Sequence, residues 1–274
     1  MAPHFQDDRT TDTASPAAPR SSQPFSAARC AQRLLMLVFT LLQISARFAL
    51  LRLRRGSRIS FHDRAEWLHL SCCTVLRRLA VRQDCRGPRP THGLVCANHL
   101  SYLDVAVCAA ATPCVFVSKR EVNSWPAFGL FARCAGTIFL DRESRTNADA
   151  AAAAMAEAMD SGVPVLLFPE GTSTDGSEVL RFHPTLLEPA IQKKLEIAPA
   201  AIAYHVRGGQ ERDACYYGDI SFVRHLLHTL GRTGIVADIE FYPDPAVYAE
   251  RHAAAQDRHD KLEAMRRRMM RDAD

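Results

Sequence analysis

His99 and Asp104 are the residues whose types and spacing most readily do chemistry. They lie in Ala97-Asn98-His99-Leu100-Ser101-Tyr102-Leu103-Asp104, a polar knot between the apolar run Gly93-Leu94-Val95-Cys96 and the apolar stretch Val105 to Ala111. Imidazole is the side chain best matched to proton transfer near neutral pH. A carboxylate beside its second nitrogen fixes the tautomer and stabilises the imidazolium. The same pair can equally be a satisfied loop contact or a helix N-cap, so spacing alone leaves both readings open.

Such a pair needs elements to hold it. A short apolar run before the knot and an Ala-rich run after it read as strand, loop and helix start, which places His99 and Asp104 at the mouth of a sheet. The pattern repeats downstream. Val115 to Ser118 is a short buried strand that delivers Lys119, Thr137 to Leu140 a strand ending at Asp141-Arg142, and Pro164 to Phe168 a fully apolar strand of parallel type. The last runs into Pro169-Glu170-Gly171-Thr172-Ser173-Thr174, where glycine allows close backbone approach and hydroxyls and amides can donate to an anion.

Four blocks, in order and with characteristic spacing, resemble the glycerolipid acyltransferase family. They are the His99 to Asp104 pattern, Gly136-Thr137-Ile138-Phe139-Leu140-Asp141-Arg142, Phe168-Pro169-Glu170-Gly171-Thr172-Ser173, and Ile197-Ala198-Pro199-Ala200-Ala201-Ile202. The resemblance covers roughly residues 95 to 205, and the third block is its most specific part. It is similar to bacterial members that acylate 1-acyl-sn-glycerol-3-phosphate. It implies acyl transfer from a thioester, acyl-CoA or acyl-ACP, to the free hydroxyl of a lysolipid, with His99 as base, Asp104 orienting it, and no cofactor beyond the thioester co-substrate.

The same resemblance suggests substrate contacts. The segment from Lys119 through Gly129 commonly lines the acceptor pocket, making Lys119 a phosphate contact or simply a solvated side chain. Arg142 would bind phosphate through its planar fork, the alternative being an ion pair with Asp141 or Glu143. Glu170, with Gly171 and Thr172, would hold the acceptor by positioning, because a carboxylate repels phosphate; its plain alternative is to cap the next turn.

Ahead of these blocks lies a different kind of sequence. Residues 1–28 are rich in Pro, Ser, Thr, Ala and Asp and read as a disordered tail. Leu34 to Leu51 would form a helix about 27 Å long, near the thickness of a hydrocarbon core. Arg33, Thr40, Gln43, Arg47 and Arg54 recur on one face as a narrow polar stripe, so the segment reads as an interfacial anchor or a tilted span. The cluster Arg52, Arg54, Arg55 and Arg58 suits anionic headgroups. A second helix covers Phe61 to Ala80, and the strand-like Val81 to Asp84 opens the next domain.

Within 274 residues, 47% apolar content allows one sizeable core, and a net charge of +4 is too diffuse to suggest nucleic acid. Nine cysteines with no C-x-x-C pair signal neither a disulfide framework nor a metal site. The expected organisation is a tail (1–28), a membrane-associated helical segment (29–80), a catalytic domain (81–245) and a C-terminal basic helix (246–274). The fold expected is α/β, a mostly parallel central sheet with helices on both faces plus the N-terminal helices.

Trp125, Phe128 and Phe131 read as core. Pro184 to Leu195 reads as a helix, and Arg266, Arg267, Arg268 and Arg271 as a solvated face. The location expected is the cytoplasmic face of the inner membrane. Two alternatives stand beside the main acceptor: lyso-ornithine lipid, which the Ser101 to Asp104 variant also resembles, and a membrane-bound lipid hydrolase using Ser101 or water. No G-x-S-x-G elbow is present to favour the hydrolase.

Overall fold

The computed structural model describes residues 25–125, 128–141 and 145–271. Two long helices come first, α1 (Ala27–Arg55) and α2 (Phe61–Leu79). There follow β1 (Arg82–Arg86), β2 (Leu94–Ala97), α3 (Leu103–Ala111), β3 (Val115–Lys119), α4 (Phe128–Cys134), β4 (Ile138–Leu140), α5 (Arg145–Asp160) and β5 (Val165–Leu167). The chain closes with α6 (Glu188–Gln192), β6 (Ile197–Val206), α7 (Phe222–Gly231), β7 (Ile235–Phe241) and α8 (Arg251–Arg271).

The strands form one sheet in the order β1-β7-β6-β2-β5-β3-β4. Only β6 and β7 pair antiparallel; every other neighbouring pair is parallel. The expected mostly parallel α/β fold is therefore present. All four residues of β2 are buried, as a parallel strand covered on both faces requires. Val95 and Ala97 enter the core beneath α2, α3 and α7, while Leu94 and Cys96 enter the core beneath α5, α6 and α8. Gly93, at φ 78°, sets the entry to β2; a Cβ there would lie 2.6 Å from the Glu196 carbonyl oxygen. Because β2 and β5 are parallel neighbours, with Cys96 opposite Leu167, the loops that follow them emerge side by side.

Three expectations are corrected. Trp125 and Phe128 are 40% and 43% exposed rather than core, and only Phe131 packs inward, stacking on Trp67. The stretch from Pro184 is a 3-10 turn, Pro184–Leu187, followed by the short α6, since Pro189 interrupts continuous helical hydrogen bonding. Arg266 does not belong to a solvated face. It is 5% exposed, Arg258 is fully buried, and α8 packs against β6 through Met265 and Met269. Arg266 survives burial because Nη1 and Nη2 each donate to one oxygen of Glu211, both at 2.8 Å, and also to the carbonyls of Ile202 and Gly176.

Within the α1 stripe, Arg33, Thr40 and Gln43 face the protein, while Arg47 and Arg54 are exposed. Thr40 is fully buried, and Arg78 of α2 donates to Thr40 Oγ1 at 2.9 Å and Gln43 Oε1 at 2.7 Å. Arg33 donates to the carbonyls of Leu230 and Arg232 beside α7. The polar residues nearest the protein thus face inward, whereas Leu35, Phe39, Leu42 and Leu53 are 63% to 82% exposed. The best 18-residue window of α1 has mean hydropathy 2.0 and only 11% of it is buried, which separates this helix from a core helix.

Candidate active site

The loop after β2 turns around a single buried carboxylate. Asp104, with no exposed surface, sits in the first turn of α3. Its Oδ2 accepts from the backbone N–H groups of Leu100 (2.6 Å) and Ser101 (2.9 Å) and from His99 Nδ1 (2.8 Å). Its Oδ1 accepts from the Tyr204 hydroxyl at 2.6 Å. A carboxylate so placed only accepts, so His99 carries its proton on Nδ1 and presents a bare Nε2. The loop-contact and catalytic readings of this pair therefore coincide: Asp104 shapes the turn and, with the same oxygen, sets the tautomer.

Other groups hold the imidazole from behind. Its ring stacks on Phe168 at 4.2 Å between centroids, with 14° between the planes, and its side chain keeps 24% exposure. Asn98, just before it, extends the pairing of β2 with β6: its side chain donates to the Ile202 carbonyl at 3.1 Å and accepts from the Ile202 N–H at 2.7 Å. The Ile202 carbonyl also receives Arg266 at 2.6 Å, so α8 braces β6 directly behind the loop. Burial drives the phenol of Tyr204 well above its ordinary pKa, with the negative charge of Asp104 acting the same way, so the hydroxyl stays a donor.

Glu170 stands at the end of β5 beside this loop and is 4% exposed. One oxygen accepts from the His99 N–H and the other from the Leu180 N–H, both at 2.7 Å. Burial pushes its carboxyl up to about 7 against the pull of those two bonds. Both oxygens are thereby engaged by backbone, so the carboxylate positions the His99 loop and the Leu180 strand of chain together. Gly171, at φ 74°, makes the tight turn that returns its N–H to the Phe168 carbonyl. Thr172 is exposed beside it, and Thr174 donates its N–H to the His99 carbonyl at 2.9 Å.

His99, Asp104 and Glu170 are thus brought into one connected network. Lys119 ends β3 at the same C-terminal edge of the sheet and is exposed, without joining that network. Arg142 lies outside the described residues. Ser101 is fully buried and its hydroxyl has no hydrogen-bond partner among the described residues, so it is not poised as a nucleophile against His99. Sequence reasoning missed Asn98, Phe168 and Tyr204. The first two stood inside recognised blocks and could have been read as supports; Tyr204 lies 100 residues from its partner and had no local signal. Among the described residues no group of three or more His, Cys, Asp or Glu side chains converges to hold a metal ion.

Known proteins resemble the chain in sequence and in fold. The family profile described as Acyltransferase matches residues 78–203. A lyso-ornithine lipid O-acyltransferase of Rhizobium meliloti is 32% identical over 68% of this chain and 67% of its own length. Another from Rhodobacter capsulatus is 37% identical over 63% of this chain and 64% of its own, so this match spans just under two thirds of that relative. A 1-acyl-sn-glycerol-3-phosphate acyltransferase of Neisseria meningitidis is 29% identical, covering 65% and 72% respectively. The crystal structure of the 1-acyl-sn-glycerophosphate acyltransferase of Thermotoga maritima aligns with TM-score 0.67 and 15% identity, covering 89% of this chain and 95% of that one, a likeness of fold.

Proposed function

The chain belongs to the acyltransferase family, and from that premise we propose that it moves a fatty acyl group from an acyl thioester to the free hydroxyl of a lysolipid. The observation that carries this reading is the His99 imidazole, protonated on Nδ1 by its bond to buried Asp104 and open at Nε2. The acceptor hydroxyl gives its proton to Nε2 as its oxygen attacks the thioester carbonyl. The carbon–sulfur bond then breaks, and the departing thiolate takes the proton back from the imidazolium. The enzyme begins and ends neutral at His99 and forms no covalent intermediate. A positioned base contributes about 10²–10⁴-fold to such a step, and holding the two substrates together contributes further.

Acyl-CoA and acyl-ACP are the donors considered, and either supplies the same thioester. The acceptor we propose first is 1-acyl-sn-glycerol-3-phosphate, giving phosphatidic acid, with Arg142 and Lys119 as phosphate contacts and the Glu170-Gly171-Thr172 turn bordering the acceptor. A second reading, lyso-ornithine lipid, is favoured by the names of the Rhodobacter and Rhizobium relatives. The ornithine headgroup carries no phosphate, so the two readings part at Arg142. The exposed apolar face of α1 supports a membrane location, and we assign the chain to the cytoplasmic face, where soluble acyl donors are made.

The test is purified full-length protein with labelled acyl thioester and a panel of lysolipids, products resolved by mass. Acylated lysolipid with the unmodified chain, and at least about 100-fold less with His99→Ala, is expected. Thioester loss that does not require an acceptor would overturn the reading in favour of a hydrolase. Arg142→Ala is expected to raise KM for 1-acyl-sn-glycerol-3-phosphate and leave KM for the thioester unchanged.

A further inference from the structure

On the surface beside the His99 loop lies an aromatic cluster, two of whose members, Trp125 and Phe128, fall in the segment expected to border the acceptor. Trp125 and Phe128, 40% and 43% exposed, both pack on Phe222, with centroids 6.4 and 5.1 Å away. Phe222 in turn meets Tyr102 at 5.1 Å, edge to face. Tyr102 lies between His99 and Asp104 in the catalytic loop, and its hydroxyl bonds to His225 at 3.1 Å. A continuous aromatic path therefore leads from the open surface to the loop that carries the base.

Beside this cluster, further large apolar side chains are exposed. On α7, Val223 is 62% exposed and Leu227 37%, one turn apart on the same face, and Leu130 beyond Phe128 is 53% exposed. Arg224 is the charged residue on that exposed face of α7, and the helix contains no acidic residue. A solvated helix is expected to carry charge of both signs on its outer face. Large apolar groups with a lone cation and flanking aromatics are instead the pattern of elements that sit at the boundary between headgroups and acyl chains.

The position of α7 identifies what covers this face. Its C-terminal carbonyls are capped by α1: Arg29 donates to the Gly231 carbonyl at 2.9 Å, Arg33 to the Leu230 carbonyl at 3.4 Å, and Cys30 Sγ contacts the Leu227 carbonyl at 3.3 Å. Phe25, 51% exposed, stacks on His228 of α7. Helices α1 and α7 thus pack on each other, and each carries exposed apolar side chains.

We propose that α7 and the Trp125–Phe128–Phe222 cluster form a second bilayer-contacting surface, beside α1, which seats the mouth of the His99 pocket in the interfacial layer of the membrane. The proposal rests on the acyltransferase reading only for its purpose, which is to let an acceptor reach His99 with its acyl chain still in lipid. The contact itself is independent of turnover. The surface commits to a lipid bilayer, not to a protein.

The chain contains two tryptophans, and Trp67 is 6% exposed, so Trp67→Phe leaves Trp125 as the sole reporter. This full-length variant is bound to phosphatidylethanolamine–phosphatidylglycerol vesicles carrying acyl chains brominated near the headgroup. A blue shift of Trp125 emission and at least about twofold quenching by bromine are expected. Should Trp67→Phe misfold, the difference in quenching between the unmodified chain and Trp125→Phe gives the same quantity. Val223→Glu with Leu227→Glu should lower vesicle partitioning about tenfold and spare turnover of detergent-dispersed acceptor. An unshifted, unquenched Trp125 in vesicle-bound protein overturns the proposal, as does shielding of Trp125 by acyl carrier protein in place of lipid. A chain that shows the quenching yet acylates no lysolipid overturns the activity and leaves the membrane surface standing.

Discussion

Around His99 the chain buries polar atoms, whereas along α1 it exposes apolar ones. The Asp104 carboxylate has no exposed surface and four hydrogen-bond donors, and Glu170 is almost as deep with two. On α1, Leu35 is 72% and Leu53 82% exposed, while Thr40 is fully buried. Both regions reverse the ordinary distribution of a soluble protein, and such reversals are what distinguish function from packing. They are stabilised differently. The pocket satisfies each buried carboxylate within the protein, whereas the α1 face is left uncovered by the described residues.

If that contrast is right, the two regions fail in different assays. The largest effect belongs to the pocket: Asp104→Asn should lower acyl transfer by at least about 100-fold, because an amide cannot hold the same tautomer of His99 while accepting four donors. Vesicle flotation of this variant should match the unmodified chain; near-normal turnover would break the comparison. Next in size, Leu35→Glu with Phe39→Glu on α1 should release the protein from vesicles by about tenfold or more and leave turnover of detergent-dispersed lysolipid and the thermal midpoint unchanged. A midpoint that falls sharply would mean that this face packs against protein.

A pH series sharpens the pocket side. Glu170 has its carboxyl raised from an ordinary 4.5 to about 7. Between those values the folded chain keeps a proton that the unfolded chain has released, so stability falls as pH rises through that window. At 1.36 kcal/mol per pH unit the contribution approaches about 3 kcal/mol, fully lost above pH 7. Denaturant midpoints from pH 4.5 to 8 in the unmodified chain and in Glu170→Gln test this; an equal slope in both would assign the titration elsewhere. The smallest effect returns to α1. Arg78→Ala removes the donors to Thr40 and Gln43 and should cost about 1–2 kcal/mol, read as loosened protection of α1 amides in hydrogen exchange.

The strand, loop and helix alternation, the His99–Asp104 pair and the apolar α1 were all legible, because each is a pattern within about twenty consecutive residues. The supports of the pair were not. Arg266 read as surface charge in an arginine run, yet it is buried against Glu211, 55 residues earlier. Trp125 and Phe128 read as core because bulk and hydrophobicity suggest burial, yet they sit on the surface.

By itself, then, the sequence determined which residues are candidates for the chemistry, the order of elements that present them, and the presence of an apolar N-terminal helix. These depend on side-chain type and short-range periodicity, which are properties of neighbouring residues. Only the tertiary structure decided that Glu170 holds the His99 backbone from 71 residues away, that Tyr204 completes the Asp104 cradle from 100, and that Thr40 and Gln43 of the α1 stripe turn inward to Arg78. The choice of inward face and of distant partner is made by sheet order and by how many donors each buried oxygen can collect. Neither quantity has a local signature, since parallel strands joined by long crossovers bring together residues that share no repeat.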